Sequence, residues 1–139
     1  MTFLLDTNVI SETRLRVSDA GVLTWLETVD QADLYLSVLT LGELAKGIAR
    51  KRLKDPAAAD SLEHWRLGIV SLFSDRIVPV DVEIASVWGE LNAKRPLPVI
   101  DALLAATALA KGMTLVTRNT KDVAGTGVAT LNPWQAGSD

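Results

Sequence analysis

Short apolar runs that stop at polar clusters alternate along this chain with longer stretches whose apolar residues recur every three or four positions. The first pattern predicts buried strands and the second amphipathic helices. Phe3-Leu4-Leu5 halts at Asp6-Thr7-Asn8 and predicts a strand. Asp19 is placed to cap a helix carrying Val22, Leu23, Leu26 and Val29 on one side. Leu34-Tyr35-Leu36-Ser37-Val38 predicts a second strand, and Thr40-Leu41-Gly42-Glu43 the opening of a helix that runs to about Leu53. Asp55-Pro56 starts another, with Leu62, Trp65, Ile69, Leu72 and Phe73 at helical spacing. Ile77-Val78-Pro79-Val80 predicts a short strand or extended link. Asp81 then caps a helix with Ile84, Val87, Trp88 and Leu91 inward. Arg95-Pro96-Leu97-Pro98 is a stiff connection, because neither proline suits a helix interior. An alanine-rich helix follows from Asp101 to Lys111, closed by Gly112. Thr114-Leu115-Val116-Thr117 and Val128-Ala129-Thr130-Leu131 predict the last strands, and the polar loop Arg118-Asn119-Thr120-Lys121-Asp122 follows the first of them.

Strands that alternate with helices and are apolar on both faces predict an α/β fold, a parallel sheet covered by helices. In such folds ligands bind beyond the carboxyl ends of the strands, at a switch point in strand order. The residues just after Phe3–Leu5 and just after Thr114–Val116 should meet there. Four acids occupy favoured positions: Asp6 ends the first strand, Glu43 lies in the first turn after the second, Asp101 opens the alanine-rich helix, and Asp122 sits in the loop after Thr114–Val116. Read as a site, they form a pocket of carboxylates that repel one another unless a cation neutralises them. All-oxygen ligands select Mg²⁺ or Mn²⁺ over zinc, and such a site suits phosphodiester hydrolysis. Each acid also has a plainer account. Asp6 is ordinary turn chemistry, Glu43 completes a Thr40-x-x-Glu43 capping box, Asp101 answers the helix dipole, and Asp122 is a solvated loop residue.

Composition narrows the chemistry further. The 139 residues are the size of one domain, taken as residues 1–139, and 48% hydrophobic with 22% charged residues excludes a disordered tail. There is no cysteine and a single histidine, His64, so disulfide frameworks, thiol nucleophiles and two-histidine metal sites are excluded. His64 flanks an apolar helical stripe, away from any predicted strand end, and is no candidate base. The net charge of −3 argues against nucleic-acid binding only until four site acids are set aside, which leaves +1 (−3 + 4). The N-terminus has neither a basic region nor a long apolar run, and Ile100 to Ala110 is too short to span a bilayer. A cytoplasmic protein with no membrane partner is expected.

Several segments, taken in order, resemble one family. Leu4-Leu5-Asp6-Thr7-Asn8-Val9-Ile10-Ser11-Glu12 resembles the opening of a PIN domain, Pro98-Val99-Ile100-Asp101-Ala102-Leu103-Leu104-Ala105-Ala106-Thr107-Ala108 its third acidic motif, and Thr117-Arg118-Asn119-Thr120-Lys121-Asp122 its fourth. Ala124-Gly125-Thr126-Gly127-Val128 and Leu131-Asn132-Pro133-Trp134 resemble the ending common among toxins of the VapC and FitB type. The resemblance implies a three-layer α/β/α fold with a parallel central sheet. It also implies a metal-dependent endoribonuclease, the toxin half of a type II toxin–antitoxin pair, which forms a homodimer and is blocked by a cognate antitoxin. It places Asp6, Glu43, Asp101 and Asp122 in the catalytic site, with Asp6 and Asp101 as ligands of Mg²⁺ or Mn²⁺. Thr7, Asn8, Thr117 and Asn119 become supporting polar groups. One departure is Val123, where an aromatic residue usually follows the fourth acid.

Arg118 and Lys121 share the loop of Asp122 and are the candidate phosphate contacts. Lys46, Arg50, Lys51, Arg52 and Lys54 form a basic run that either guides an RNA backbone or is a solvated helix end. Trp25, Trp65 and Trp88 fall on apolar stripes and read as core or interface. The alternative to an RNA-cleaving enzyme is a PIN-like module that binds nucleic acid or protein without turnover. An aspartyl phosphotransferase is disfavoured, because it would want a second aspartate where Asn8 stands.

Overall fold

A computed structural model describes residues 1–134. Five parallel strands, β1 (Phe3–Leu5), β2 (Leu34–Ser37), β3 (Ile77–Val78), β4 (Thr114–Val116) and β5 (Thr130–Leu131), form one sheet in the order β3-β2-β1-β4-β5. Six helices accompany them: α1 (Thr7–Glu12), α2 (Ala20–Thr28), α3 (Val38–Arg52), α4 (Pro56–Leu72), α5 (Val82–Lys94) and α6 (Val99–Lys111). The pleat sorts the strand residues to two faces. Phe3, Leu5, Leu34, Leu36 and Val116 pack with Val9 and Ile10 of α1, Val22 of α2, Leu41 and Leu44 of α3, and Ile69 of α4. Leu4, Leu115 and Tyr35 face the other way, onto Leu104, Ala105 and Ala108 of α6 and Leu91 of α5. The result is the three-layer α/β/α arrangement that the resemblance implied.

Strand order reverses at β1. The chain moves outward through β2 and β3, then returns to place β4 on the other side of β1. Leu5 pairs with Val116, so Asp6 and Thr117 leave the sheet side by side, and the Asp6 N–H donates to the Val116 carbonyl at 2.9 Å. The small side chains of α6 matter here: Ala102, Ala105, Ala106 and Ala108 are buried, which lets this helix lie close to the sheet. Gly112 ends it at φ +67, a left-handed conformation that costs a residue with a Cβ more than it costs glycine.

Several boundaries differ from the sequence reading. Val38 is the first residue of α3 rather than the end of a strand, because the Ser37 hydroxyl accepts from the Leu39 N–H and caps the helix there. Helix α6 begins at Val99, two residues before Asp101, since Pro98 supplies the extended backbone before it. The outer strands are shorter than expected: β3 stops at Val78 and β5 spans only Thr130 and Leu131. Leu23 is exposed, and Trp25 takes the inward place, its ring edge-on to Phe3 at 5.2 Å between centroids. Among the described residues no helix is long and apolar enough to cross a membrane.

Candidate active site

Asp6 is the centre of the candidate site. It is the N-cap of α1, and its Oδ1 accepts from the Thr7 N–H at 2.7 Å. Its Oδ2 accepts from the Thr117 hydroxyl at 2.7 Å, across the switch point between β1 and β4. Thr117 is itself buried, and its oxygen accepts from the Asn119 N–H at 3.0 Å, so the fourth motif is tied back to the first. Asn119 enters this web through its backbone.

Glu43 reaches the same corner from α3. Its Oε1 accepts from the Thr7 hydroxyl at 2.6 Å, and the buried Thr40 hydroxyl lies 3.3 Å from that of Thr7. This overturns the capping-box account. Ser37 is the cap, Thr40 stands inside the helix, and Glu43 is two turns in, too far along to reach the helix start. The first-turn position expected for Glu43 was wrong for the same reason.

Asp101 lies in the first turn of α6, half-buried. Asp122 is exposed in a single 3₁₀ turn, Thr120–Val123. Val123 beside it is buried against Leu4, Leu104 and Leu115, so an aliphatic side chain anchors the turn where the family usually has an aromatic one. Sequence reasoning missed a second anchor. Arg95 donates to the backbone carbonyls of Ala124 at 2.8 Å and Asp122 at 3.4 Å, fastening the turn to the end of α5. Its place in a Pro-rich link carried no sign of that role.

The charges of all four acids are felt at one place. Burial pushes Asp6 above the usual carboxylate range, with Glu43 and Asp122 adding to the rise against the hydrogen bonds from Thr117 and Thr7. Asp101 is raised by burial, then by the nearby charges of Asp6, Asp122 and Glu43. Such mutual repulsion is what a bound cation relieves. Among the described residues no three acids close on one point as a ready-made metal cage. The donor set is entirely oxygen, and the buried Asn8 Oδ1, next to Thr7 in α1, has no hydrogen-bond partner among the described residues. These residues fit a hard divalent cation.

The phosphate candidates are exposed. The Arg118 guanidinium lies 5.3 Å from the centroid of the buried Trp134 ring, and Lys121 is exposed at the surface. His64 is exposed on α4.

Residues 3–124 match the PIN domain family. The chain belongs to that family. The plasmid stability protein StbB of Pseudomonas syringae pv. tomato is 37% identical over 96% of this chain and 99% of its own length. Toxin FitB of Neisseria gonorrhoeae is 34% identical over 94% of this chain and 97% of its own. The VapC ribonuclease Y4jK of Sinorhizobium fredii is 31% identical over 95% and 97%. The crystal structure of FitAcB from Neisseria gonorrhoeae superposes with a TM-score of 0.85, at 33% identity over 96% of this chain and 99% of that one. In this PIN fold the first and fourth motifs are joined by the Thr117–Asp6 hydrogen bond, and the third approaches on α6.

Proposed function

We propose that this PIN-domain chain, residues 1–139 acting as one domain, is a metal-dependent endoribonuclease and the toxin of a type II toxin–antitoxin pair. One observation carries the reading. Asp6 is held half-buried at the switch point by Thr117 and Thr7, within the field of Glu43 and Asp122, and Asp101 feels the same charges. At neutral pH a bound cation is what relieves so many carboxylates held together without protonating them. The names of its relatives, a toxin and a ribonuclease, agree with this use of the site.

Asp6 and Asp101 would hold Mg²⁺ or Mn²⁺, and the cation supplies charge stabilisation at the scissile phosphate and a more acidic water. The rest falls to the chain's own groups. Thr117 and the Thr7 N–H orient the two Asp6 oxygens, and Asn8 and Asn119 line the same corner. The Thr7 hydroxyl pins Glu43 Oε1, which leaves Oε2 to take a proton from the attacking water. Asp122 adds negative charge on the solvent side. Arg118 and Lys121 flank the phosphates of the RNA. The chain works in the cytoplasm as a homodimer, and a cognate antitoxin silences it by presenting an arginine to the acids in place of the cation.

Purified protein should cleave RNA only with Mg²⁺ or Mn²⁺ present, stop on addition of EDTA, and resume when Mn²⁺ is restored. Asp6→Asn, prepared identically, should show no cleavage. Metal-dependent cleavage of equal rate in wild type and Asp6→Asn would refute the assignment.

A further inference from the structure

Beside the acidic corner lies a cavity of about 340 Å³, within the usual 300–1,000 Å³ of small-molecule sites. It shares Thr7 and Glu43 with the proposed catalytic residues, and Arg14, Lys51 and Trp65 line it too. Arg14 and Lys51 are exposed and make no ion pair or side-chain hydrogen bond among the described residues. Two unpaired cations on the wall next to a carboxylate-rich site call for an anion that is attached to whatever occupies that site. Trp65 was read from the sequence as core or interface rather than as a base-stacking platform; it is only partly buried, and it borders the cavity as well as the core.

We infer that this cavity is the subsite for the nucleotide next to the scissile phosphate, its base stacked on Trp65 and its own phosphate held by Arg14 and Lys51. A single-stranded RNA is what combines an anion with a flat ring at one-nucleotide spacing. The inference takes its ligand from the ribonuclease reading. Its site rests separately on the unpaired cations and the tryptophan.

The test is binding rather than cleavage. A fluorescein-labelled single-stranded oligoribonucleotide is titrated by anisotropy in EDTA, with intact protein and over a range of salt. Arg14→Gln/Lys51→Gln should weaken binding and lower the slope of log affinity against log salt by about 1.4, roughly 0.7 for each lost phosphate contact on a single strand. The charge-matched pair Lys94→Gln/Lys111→Gln, outside the cavity and outside the basic run, should leave the slope within half of that change. Trp65→Leu should lose about tenfold in affinity, in line with about 1–3 kcal/mol per stacked base, and Trp65→Phe should recover most of it. Equal losses in both charge pairs, or no difference between Trp65→Leu and Trp65→Phe, would overturn the subsite. The two readings fail separately: absence of metal-dependent cleavage with the binding pattern intact removes the nuclease, and cleavage with binding unchanged across these variants removes the subsite. Tight binding of a cognate antitoxin that is weakened by Arg14→Gln/Lys51→Gln, with RNA binding untouched, would assign the cavity to protein and also overturn the subsite.

Discussion

Asp6 and Asp101 carry their charge at a cost to the folded chain. Their folded protonation points are raised above the ordinary 3.8 by burial first and by neighbouring carboxylates after it. That destabilisation is fully present above the raised points and is relieved as pH falls through them toward 3.8. In metal-free protein, Asp6→Asn and Asp101→Asn should therefore each raise the melting temperature at pH 7, with the gain shrinking as pH approaches 4. Cleavage should fall by more than about a hundredfold, since even the outer partners of metal ligands are worth about 10- to 100-fold. Mg²⁺ should raise the melting temperature of wild type and not of Asp6→Asn. A scan of melting temperature against pH with and without Mg²⁺ checks all three. Glu43→Gln is a sharper case now that Ser37 is known to cap α3. It leaves the cap untouched and keeps an oxygen for Thr7, so helix stability should hardly change while cleavage is largely lost. Thr117→Val removes the donor to Asp6 Oδ2 and the acceptor for the Asn119 N–H. It should reduce cleavage about 10- to 100-fold in a folded protein.

At the level of elements, the site depends on how three segments are fastened. Strand β1 delivers Asp6 through its pairing with β4, α3 brings Glu43 across to Thr7, and the 3₁₀ turn bearing Asp122 is held by Val123 from below and Arg95 from the side. Arg95→Gln should loosen that turn. Hydrogen exchange should quicken at the Asp122 and Ala124 amides, which bond within the turn to Asn119 and Lys121, and cleavage should fall about tenfold. Exchange unchanged at those amides would show that Val123 holds the turn unaided. Gly112→Ala separates scaffold from site. Its Cβ would meet nothing within 4 Å, so the cost is the left-handed backbone alone, about 1–2 kcal/mol in denaturant unfolding with the cleavage rate retained.

For the whole molecule, the layer of α1–α4 has apolar surface left over. Leu72 of α4 is 49% exposed, so the helical stripe that includes it extends past the core. Leu72 edges a second cavity of about 340 Å³, lined by Leu5, Ile10, Leu26, Leu34, Ile69 and Phe73 among others. The proposed assembly would place another chain on this apolar rim. The homodimer proposed here should appear as twice the 15.0 kDa chain mass in light scattering at micromolar concentration. Leu72→Lys should shift that equilibrium toward monomer or abolish antitoxin binding; a monomeric wild type unaffected by its antitoxin would refute the proposed assembly.

The alternation of apolar runs with helical stripes was enough to predict a parallel α/β sheet, because strands apolar on both faces are stable only between two helical layers. Local chemistry likewise placed the caps at Asp19 and Asp81, the start of α4 at Asp55-Pro56 and the close of α6 at Gly112, for these depend on residues within one turn of each other. The ordered motifs singled out Asp6, Glu43, Asp101 and Asp122, but each had a plain local explanation as well. Tertiary structure removed the one for Glu43: Thr40 and Glu43 have the spacing of a capping box, and only packing reveals that Ser37 starts the helix and that Thr7, 36 residues away in sequence, claims the carboxylate. Contacts of that range leave no periodicity to read. The same is true of Arg95 over the Asp122 turn and of the cations that gather beside Trp65, whereas the meeting of Thr117 with Asp6 followed from the switch-point rule. Sequence pattern determines which faces must be buried; which side chains meet at the ends of the strands is decided by strand order and by how closely the alanines of α6 let that helix approach.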